Sequence, residues 1–367
     1  MTEWYNIRNI EQTDSPALVV YPERVRDNIR KAIAVSGSVN KLRPHVKTNK
    51  IGEVCEMMIQ EGITRFKCAT IAEAEMLAIA EAPDVLLACQ PANPKIARLL
   101  KLVKTYRKTL FSCLTDNEDH AEVINKQCRN EAIALNVFID LNVGMNRTGV
   151  HPEKAYSLAR KIQSLTYLHL TGIHGYDGHI HDKDMIQRQD AADMSFELAN
   201  DLFEKIQPLF PYPLRIVMGG TPVFPVHVCR QYTECSPGTF VFWDWGYGHA
   251  FPDMPYQYAA LVISRVISVV DKRHLCIDLG YKAVAAESPL PRVHFLNVPE
   301  AVPVAQSEEH LVVKVPDSSH YKLGDVFYGV PVHICPTVAL YEKAYIIQNG
   351  EVATTWEVIA RNRSIHI

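Results

Sequence analysis

The sequence predicts an α/β fold in two parts: a TIM-like (β/α)8 barrel over residues 16–244 and an all-β domain over residues 245–367, with residues 1–15 packing on the β domain. Two patterns carry that reading. Up to about Val241, apolar runs of strand length alternate with helix-patterned segments. Repeated βα units with strands this apolar form a parallel sheet buried on both faces. Beyond Asp244 the segments become short, β-branched and punctuated by Gly, Pro, Asn and Asp, the pattern of an all-β module. Seven or eight βα units in succession favour a closed barrel over an open sheet. No G-x-G-x-x-G follows any strand, which speaks against a dinucleotide fold.

In chain order, the barrel strands are read at "LRPHVK", "RFKCAT", "DVLLAC", "TLFSCL", "ALNVFID", "LHLTGIHGY" and "RIVMGG". Helices are read at "PERVRDNIRKAIAVSG", where Pro22 opens the segment and Gly37 closes it, and at "IAEAEMLAIAEA" and "PEKAYSLARKIQSL". The β module is read from "YAALVISRVISVVD", "HLCIDLG", "HLVVKVPD", "GDVFYGVPVHICPTV", "KAYIIQNGEV" and "TTWEVIARN". No internal repeat or low-complexity tract interrupts either part.

The composition narrows the function classes. The chain has 367 residues, 47% of them apolar, and a formal charge of -3. That balance carries no basic footprint for nucleic acid, so a small-molecule partner is expected. The opening "MTEWYNIRNIEQ" lacks the basic and apolar regions of a signal peptide. "YAALVISRVISVV" is interrupted by Arg265 and falls short of the ~18 apolar residues of a membrane span. Nine cysteines without a C-x-x-C pair read as reduced core thiols, Cys68, Cys89 and Cys276 among them. A cytoplasmic protein is expected.

"RPHVKTNK", Arg43 to Lys50, crowds cationic residues onto one strand end. Alternation along a strand puts Arg43, His45, Lys47 and Asn49 on one face and Lys50 on the other. Such a face packs poorly but suits the C-terminal end of a barrel strand, where active sites lie. Cationic neighbours and partial desolvation there would lower the pKa of Lys47 and free its amine for Schiff-base chemistry. Taken alone, the octapeptide reads more readily as a solvated basic strand end.

"SPALVVYPERVRDNI", "RPHVKTNKIGE", "FKCATIAEAEML", "DLNVGMNRTG", "GGTP" and "SPGTFVF" together resemble, in order and spacing, the fold-type III pyridoxal-phosphate enzymes with their alanine-racemase-like barrel. "RPHVKTNK" and the late "HIC" are similar to the D-threonine aldolase and D-serine dehydratase branch. The resemblance implies pyridoxal 5'-phosphate as cofactor, Lys47 as its Schiff-base lysine, Lys50 as a bystander, and a homodimer. Asn49 departs from the branch, which usually has histidine there.

The same resemblance places Arg147 of "GMNRTG" near the cofactor's phenolic oxygen, where a fixed cation stabilises charge. His45 and Tyr176 are further cofactor-binding candidates. Gly219, Gly220 and Thr221 of "MGGTP" follow a strand and let backbone N–H groups approach a phosphate, with Gly238 and Thr239 as additional candidates. In "HGYDGHIHD", which includes His174, either His179 or His181 is the base for a substrate hydroxyl. His333 and Cys335, two apart in "PVHICPTV", share one face if that segment is a strand. They suit a divalent metal, zinc by donor softness, with manganese or magnesium as alternatives.

The expected activity is a metal-assisted lyase on D-β-hydroxy amino acids of the D-threonine aldolase type, with D-serine dehydration as the alternative. An amino-acid racemase would need a second base such as Tyr281 or Tyr328 and would leave the metal pair idle. A non-catalytic pyridoxal-phosphate carrier would have no need of the β domain.

Overall fold

The computed structural model describes residues 3–367. The expectation for residues 1–15 therefore includes two residues, 1 and 2, that lie outside the described residues. The chain divides into two compact units. One gathers the described residues up to Lys31, Thr48–Val54 and Thr239–Arg361; the other gathers Ala32–Lys47, Cys55–Gly238 and Asn362–Ile367. This division differs from a single boundary at 244/245, because β1 (Ala17–Val20) pairs with strands of the C-terminal half.

The barrel unit holds seven parallel strands in chain order: β2 (Arg65–Cys68), β3 (Asp84–Leu87), β4 (Leu110–Thr115), β5 (Leu135–Leu141), β6 (Leu168–Gly175), β7 (Arg215–Met218) and β8 (Thr233–Cys235). Six of these coincide with runs read from the sequence. The seventh, "TEC", escaped that reading because it is three residues long and not apolar. The predicted strand "LRPHVK" is reduced to two parallel bridges, Leu42 to Cys235 and His45 to Lys67. Pro44 has no N–H and cannot donate to a ladder, yet its carbonyl accepts from Lys67 N at 2.8 Å, and Arg43 N donates to Cys235 O at 2.8 Å. This stave therefore joins β8 to β2 and closes the barrel.

Leu86, Leu114, Phe138 and Val217 fill the barrel interior as an apolar cluster. Burying each such side chain contributes about 1.5–3 kcal/mol. Helices follow the strands with local signals of their own. In Ile71–Ile79, Thr70 caps Glu73 N, and Glu73 Oε2 reaches back to accept from Ala69 N, the residue before the cap. Asp184 caps the 22-residue helix Met185–Ile206 through Ile186 N and Gln187 N.

The other unit is built on β1 and eight later strands: β9 (Ala260–Val269), β10 (His274–Ile277), β11 (Val293–Phe295), β12 (Val302–Gln306), β13 (Leu311–Lys314), β14 (Val326–Pro331), β15 (Lys343–Gln348) and β16 (Glu351–Glu357). The sheet runs β12-β13-β10-β9-β1-β15-β16, with β14 pairing β9 and β11. β1 lies antiparallel to β9 and parallel to β15, so the N-terminal strand is a central member of this sheet. Tyr5 and Ile7 pack with Val19, Leu261, Ile263 and Tyr328 of the same unit. Among the described residues, no helix is long and apolar enough to cross a membrane.

Candidate active site

The C-terminal ends of the barrel strands carry a layer of ionisable groups above the apolar cluster. Tyr176, one residue past β6, is its hub. Lys47 Nζ and Lys67 Nζ each lie 5.8 Å from the centroid of its ring, and Arg147 Cζ lies 4.8 Å from it. Gly178 is packed so tightly on this ring that a Cβ there would meet Tyr176 atoms at 2.3 Å. The tyrosine is thus held by backbone, with three cations disposed around it.

Lys47 stands on a turn and not on a strand as the alternation argument required: the stave ends at His45, and Val46–Asn49 turn away. Its orientation comes from His45, whose Nδ1 accepts from Lys47 N at 3.2 Å. Among the described residues, Lys47 Nζ has no hydrogen bond or ion pair with a side chain, which leaves a primary amine available. Lys50 is grouped with the β unit, where its Nζ donates to Ala360 O at 3.5 Å. Asn49 is buried, with its Oδ1 accepting from Ile51 N at 3.1 Å.

Arg147 sits on the loop after β5. Asn142 Oδ1 accepts from Gly144 N at 3.1 Å and Asn146 N at 3.2 Å, folding the loop back, and Val150 N returns to Asp140 O at 2.8 Å. Gly144 has φ +120°, and a Cβ there would lie 2.8 Å from His179 Nε2. Hence His179 rests on the loop that carries Arg147. His181 is exposed, as is His179.

The 219–221 turn is braced from behind. Asp177 Oδ1 accepts from Gly220 N at 3.3 Å, and Asp177 Oδ2 bonds His227 Nε2 at 2.7 Å, with Asp177 and His227 both buried. Burial alone would raise the Asp177 carboxyl, but the His227 bond and charge hold it below the ordinary value. Gly238 N donates to Thr221 Oγ1 at 3.1 Å. The Gly220 and Gly238 amides, expected at a phosphate, therefore already donate to side chains of the barrel.

A buried chain completes the layer. Lys67 Nζ lies 3.4 Å from His174 Nε2, and His174 Nδ1 lies 2.7 Å from Asp140 Oδ1. Desolvation, then the charge of Lys47, lowers the Lys67 pKa to about 7. Desolvation and Lys67 likewise lower His174. Asp140 is held low by the His174 bond despite its burial. Sequence reasoning passed over Lys67, Asp140 and His227, and gave Asp177 of "HGYDGHIHD" no role. The available signal was a lysine between Phe66 and Cys68 in a strand buried on both faces. Asp140 likewise ends an apolar strand, where barrel enzymes carry functional groups.

In the β unit, His333 and Cys335 are not on a strand, which corrects the expectation from alternation. β14 ends at Pro331, and His333 is the N-cap of the short helix Ile334–Val338, started by Ile334 N donating to Asp244 Oδ2 at 3.1 Å. The two side chains remain near enough for Cys335 to favour the charged form of His333. His333 Nδ1 lies 2.5 Å from Glu287 Oε1, and Cys335 Sγ lies 3.1 Å from Thr48 Oγ1 and 3.6 Å from Thr239 Oγ1. Burial opposes protonation of His333, but Cys335 and Glu287 raise it to about 9. Among the described residues, no three His, Cys, Asp or Glu side chains are grouped to hold a metal. Thr239, expected at the cofactor phosphate, belongs to this unit. Tyr328 is buried and accepts from Ile7 N at 3.4 Å, whereas Tyr281 is exposed.

A cavity of about 560 Å³ opens elsewhere, lined by Lys41, Arg65, Arg215 and Glu234 among others. It lies at the N-terminal ends of the strands, and Arg65 and Arg215 each pair with Glu234 Oε1 at 3.1 Å.

A closed parallel barrel with a lysine and an arginine over one tyrosine ring at its C-terminal end, followed in the chain by a sheet unit, is the architecture of the alanine-racemase-like class. The chain belongs to the alanine racemase N-terminal domain family, which matches residues 20–244, and a putative serine dehydratase domain matches residues 259–347. It is 25% identical over 362 residues to a D-threonine aldolase of Arthrobacter sp, covering 97% of this chain and 94% of the relative. It is 22% identical over 390 residues to a D-serine dehydratase of Dictyostelium discoideum, covering 94% and 96%. The crystal structure of a D-threonine aldolase from Filomicrobium marinum superposes with a TM-score of 0.88 at 22% identity over 95% of each chain, which shows the shared fold. The resemblance read from the motifs is thus a family relationship. Pyridoxal phosphate is the cofactor expected of this family.

Proposed function

We propose that the chain is a lyase dependent on pyridoxal 5'-phosphate and a divalent metal, acting on D-configured β-hydroxy amino acids. The reading is of the D-threonine aldolase type, giving glycine and an aldehyde. The observation that carries it is the available amine of Lys47 beside the Tyr176 ring that Arg147 also covers. An anionic aromatic aldehyde fits this set: a lysine side chain, a guanidinium and an aromatic surface. Lys47, His45, Arg147, Tyr176 and the 219–221 turn would hold it. When bound, the cofactor's ring takes up the electrons released as a bond at the substrate Cα breaks.

His333 and Cys335 would hold the metal. Two neighbouring donors suit an ion with open positions, as a catalytic metal requires. Such an ion, zinc by donor softness, would supply Lewis acidity that makes a substrate hydroxyl easier to deprotonate. Lys47 provides the amine. Arg147 stabilises negative charge beside it. His179, exposed and resting on the Arg147 loop, takes the hydroxyl proton, with His181 as the other candidate. A homodimer is part of the proposal.

D-serine dehydration is the second reading, favoured by the family match over residues 259–347. Lys47 would then take the proton from Cα. The test is to incubate the protein with pyridoxal phosphate, zinc and D-threonine and identify the products. Acetaldehyde with glycine supports the aldolase. 2-Oxobutyrate with ammonia selects the dehydratase, and epimerised threonine alone sinks both.

A further inference from the structure

Barrel interiors are normally filled by branched apolar side chains. Here the layer above Leu86, Leu114, Phe138 and Val217 is polar, and its centre is a lysine with 3% of its surface exposed. Lysine is almost never fully buried unless paired. Among the described residues, Lys67 has no carboxylate in hydrogen-bond reach. Its side-chain partner there is His174 Nε2 at 3.4 Å, and the bond from His174 Nδ1 to Asp140 leaves Nε2 as an acceptor. Arg43, a cation on the neighbouring stave, is ion-paired to both Asp84 and Glu234. Lys67 faces Lys47 and Arg43 as cations, Asp140 and Asp177 as anions, and shares the Tyr176 ring with Lys47 and Arg147. With Arg43 compensated, Lys47, Lys67 and Arg147 meet two carboxylates, and both of these are already bonded to histidines.

We propose that Lys67, held on the His174–Asp140 pair beside Tyr176, is a third ligand-binding cation of this site, and that it takes up a proton when an anionic ligand binds next to Lys47. The inference rests on the reading of Lys47 as the cofactor lysine. A fixed cation at this position would oppose protonated Lys47 while the site is empty. A lysine avoids that conflict by charging only when negative charge arrives, which ordinary arginine cannot do. Its lowered pKa is consistent with that role.

The test is calorimetric. Pyridoxal phosphate is titrated into the cofactor-stripped protein near pH 8 in two buffers of different ionisation enthalpy, which gives the number of protons taken up. The wild type is expected to take up about one proton more than Lys67→Met, and this difference should vanish below about pH 6, where Lys67 is already charged. Affinity should fall at least about tenfold in Lys67→Met, the loss of a hydrogen bond to a charged group. Lys67→Arg should retain more of the affinity while losing the extra proton. Equal proton uptake in wild type and Lys67→Met overturns the proposal, as does affinity unchanged in Lys67→Met. Absence of pyridoxal phosphate binding in the wild type would overturn the reading of Lys47 itself, and is thereby told apart.

Discussion

Arg43 and Lys67 are both buried cations on adjacent staves of one barrel, and their surroundings differ in kind. Arg43, at the N-terminal end, gives Nε to Glu234 at 2.7 Å and binds Asp84 through both terminal nitrogens, at 2.7 and 3.0 Å. Arg65 and Arg215 close the network around Glu234. Lys67, near the C-terminal end, has a neutral ring nitrogen for a partner and two other cations around the same tyrosine. The first arrangement is satisfied within the protein and acts as a structural plug. The second is left with cationic surplus, which an incoming anion can use.

The sharpest way to break the comparison is to remove the plug. Arg43→Ala leaves Asp84 and Glu234 without their buried partner, and a loss of about 3–5 kcal/mol in unfolding free energy is expected by urea titration. A loss below about 1 kcal/mol would mean that the two ends are equivalent. The opposite end responds to pH. Lys67 has a folded pKa of about 7 against an ordinary 10.5, so between those values the unfolded chain binds the extra proton. Stability therefore rises with pH across that window, and the full penalty is present below pH 7. Relative to wild type, Lys67→Met is expected to be more stable by a few kcal/mol at pH 6, an advantage that shrinks towards pH 10.

Smaller effects separate site from scaffold. In Gly178→Ala the new Cβ displaces the Tyr176 ring, with an overpacking cost of about 1–3 kcal/mol by thermal melting. Turnover of D-threonine should fall more than stability does. Lys50→Ala, on the β unit, is expected to leave stability within about 0.5 kcal/mol and turnover unchanged.

The barrel was legible because its strands are apolar runs of the right length, and the alternation with helices admits few alternatives. What escaped was polar or broken by proline: "TEC" as β8, and the stave at Pro44. The proximity of Lys47 and Arg147 to Tyr176 was anticipated through motifs of fixed order. The layer of Lys67, His174 and Asp140 was not, because it joins β2, β5 and β6, whose proximity exists only once the barrel closes. The expected strand geometry of His333 and Cys335 is replaced by a one-turn helix, with His333 as its N-cap and Cys335 in its first turn.

The central claim is that Lys47 is the reactive amine of the C-terminal end. Reduction of the protein with borohydride in the presence of pyridoxal phosphate, followed by peptide mass mapping, tests it directly. The pyridoxyl group is expected on Lys47 alone. Its appearance on Lys67 or Lys50, or on no lysine of the barrel, would contradict the account.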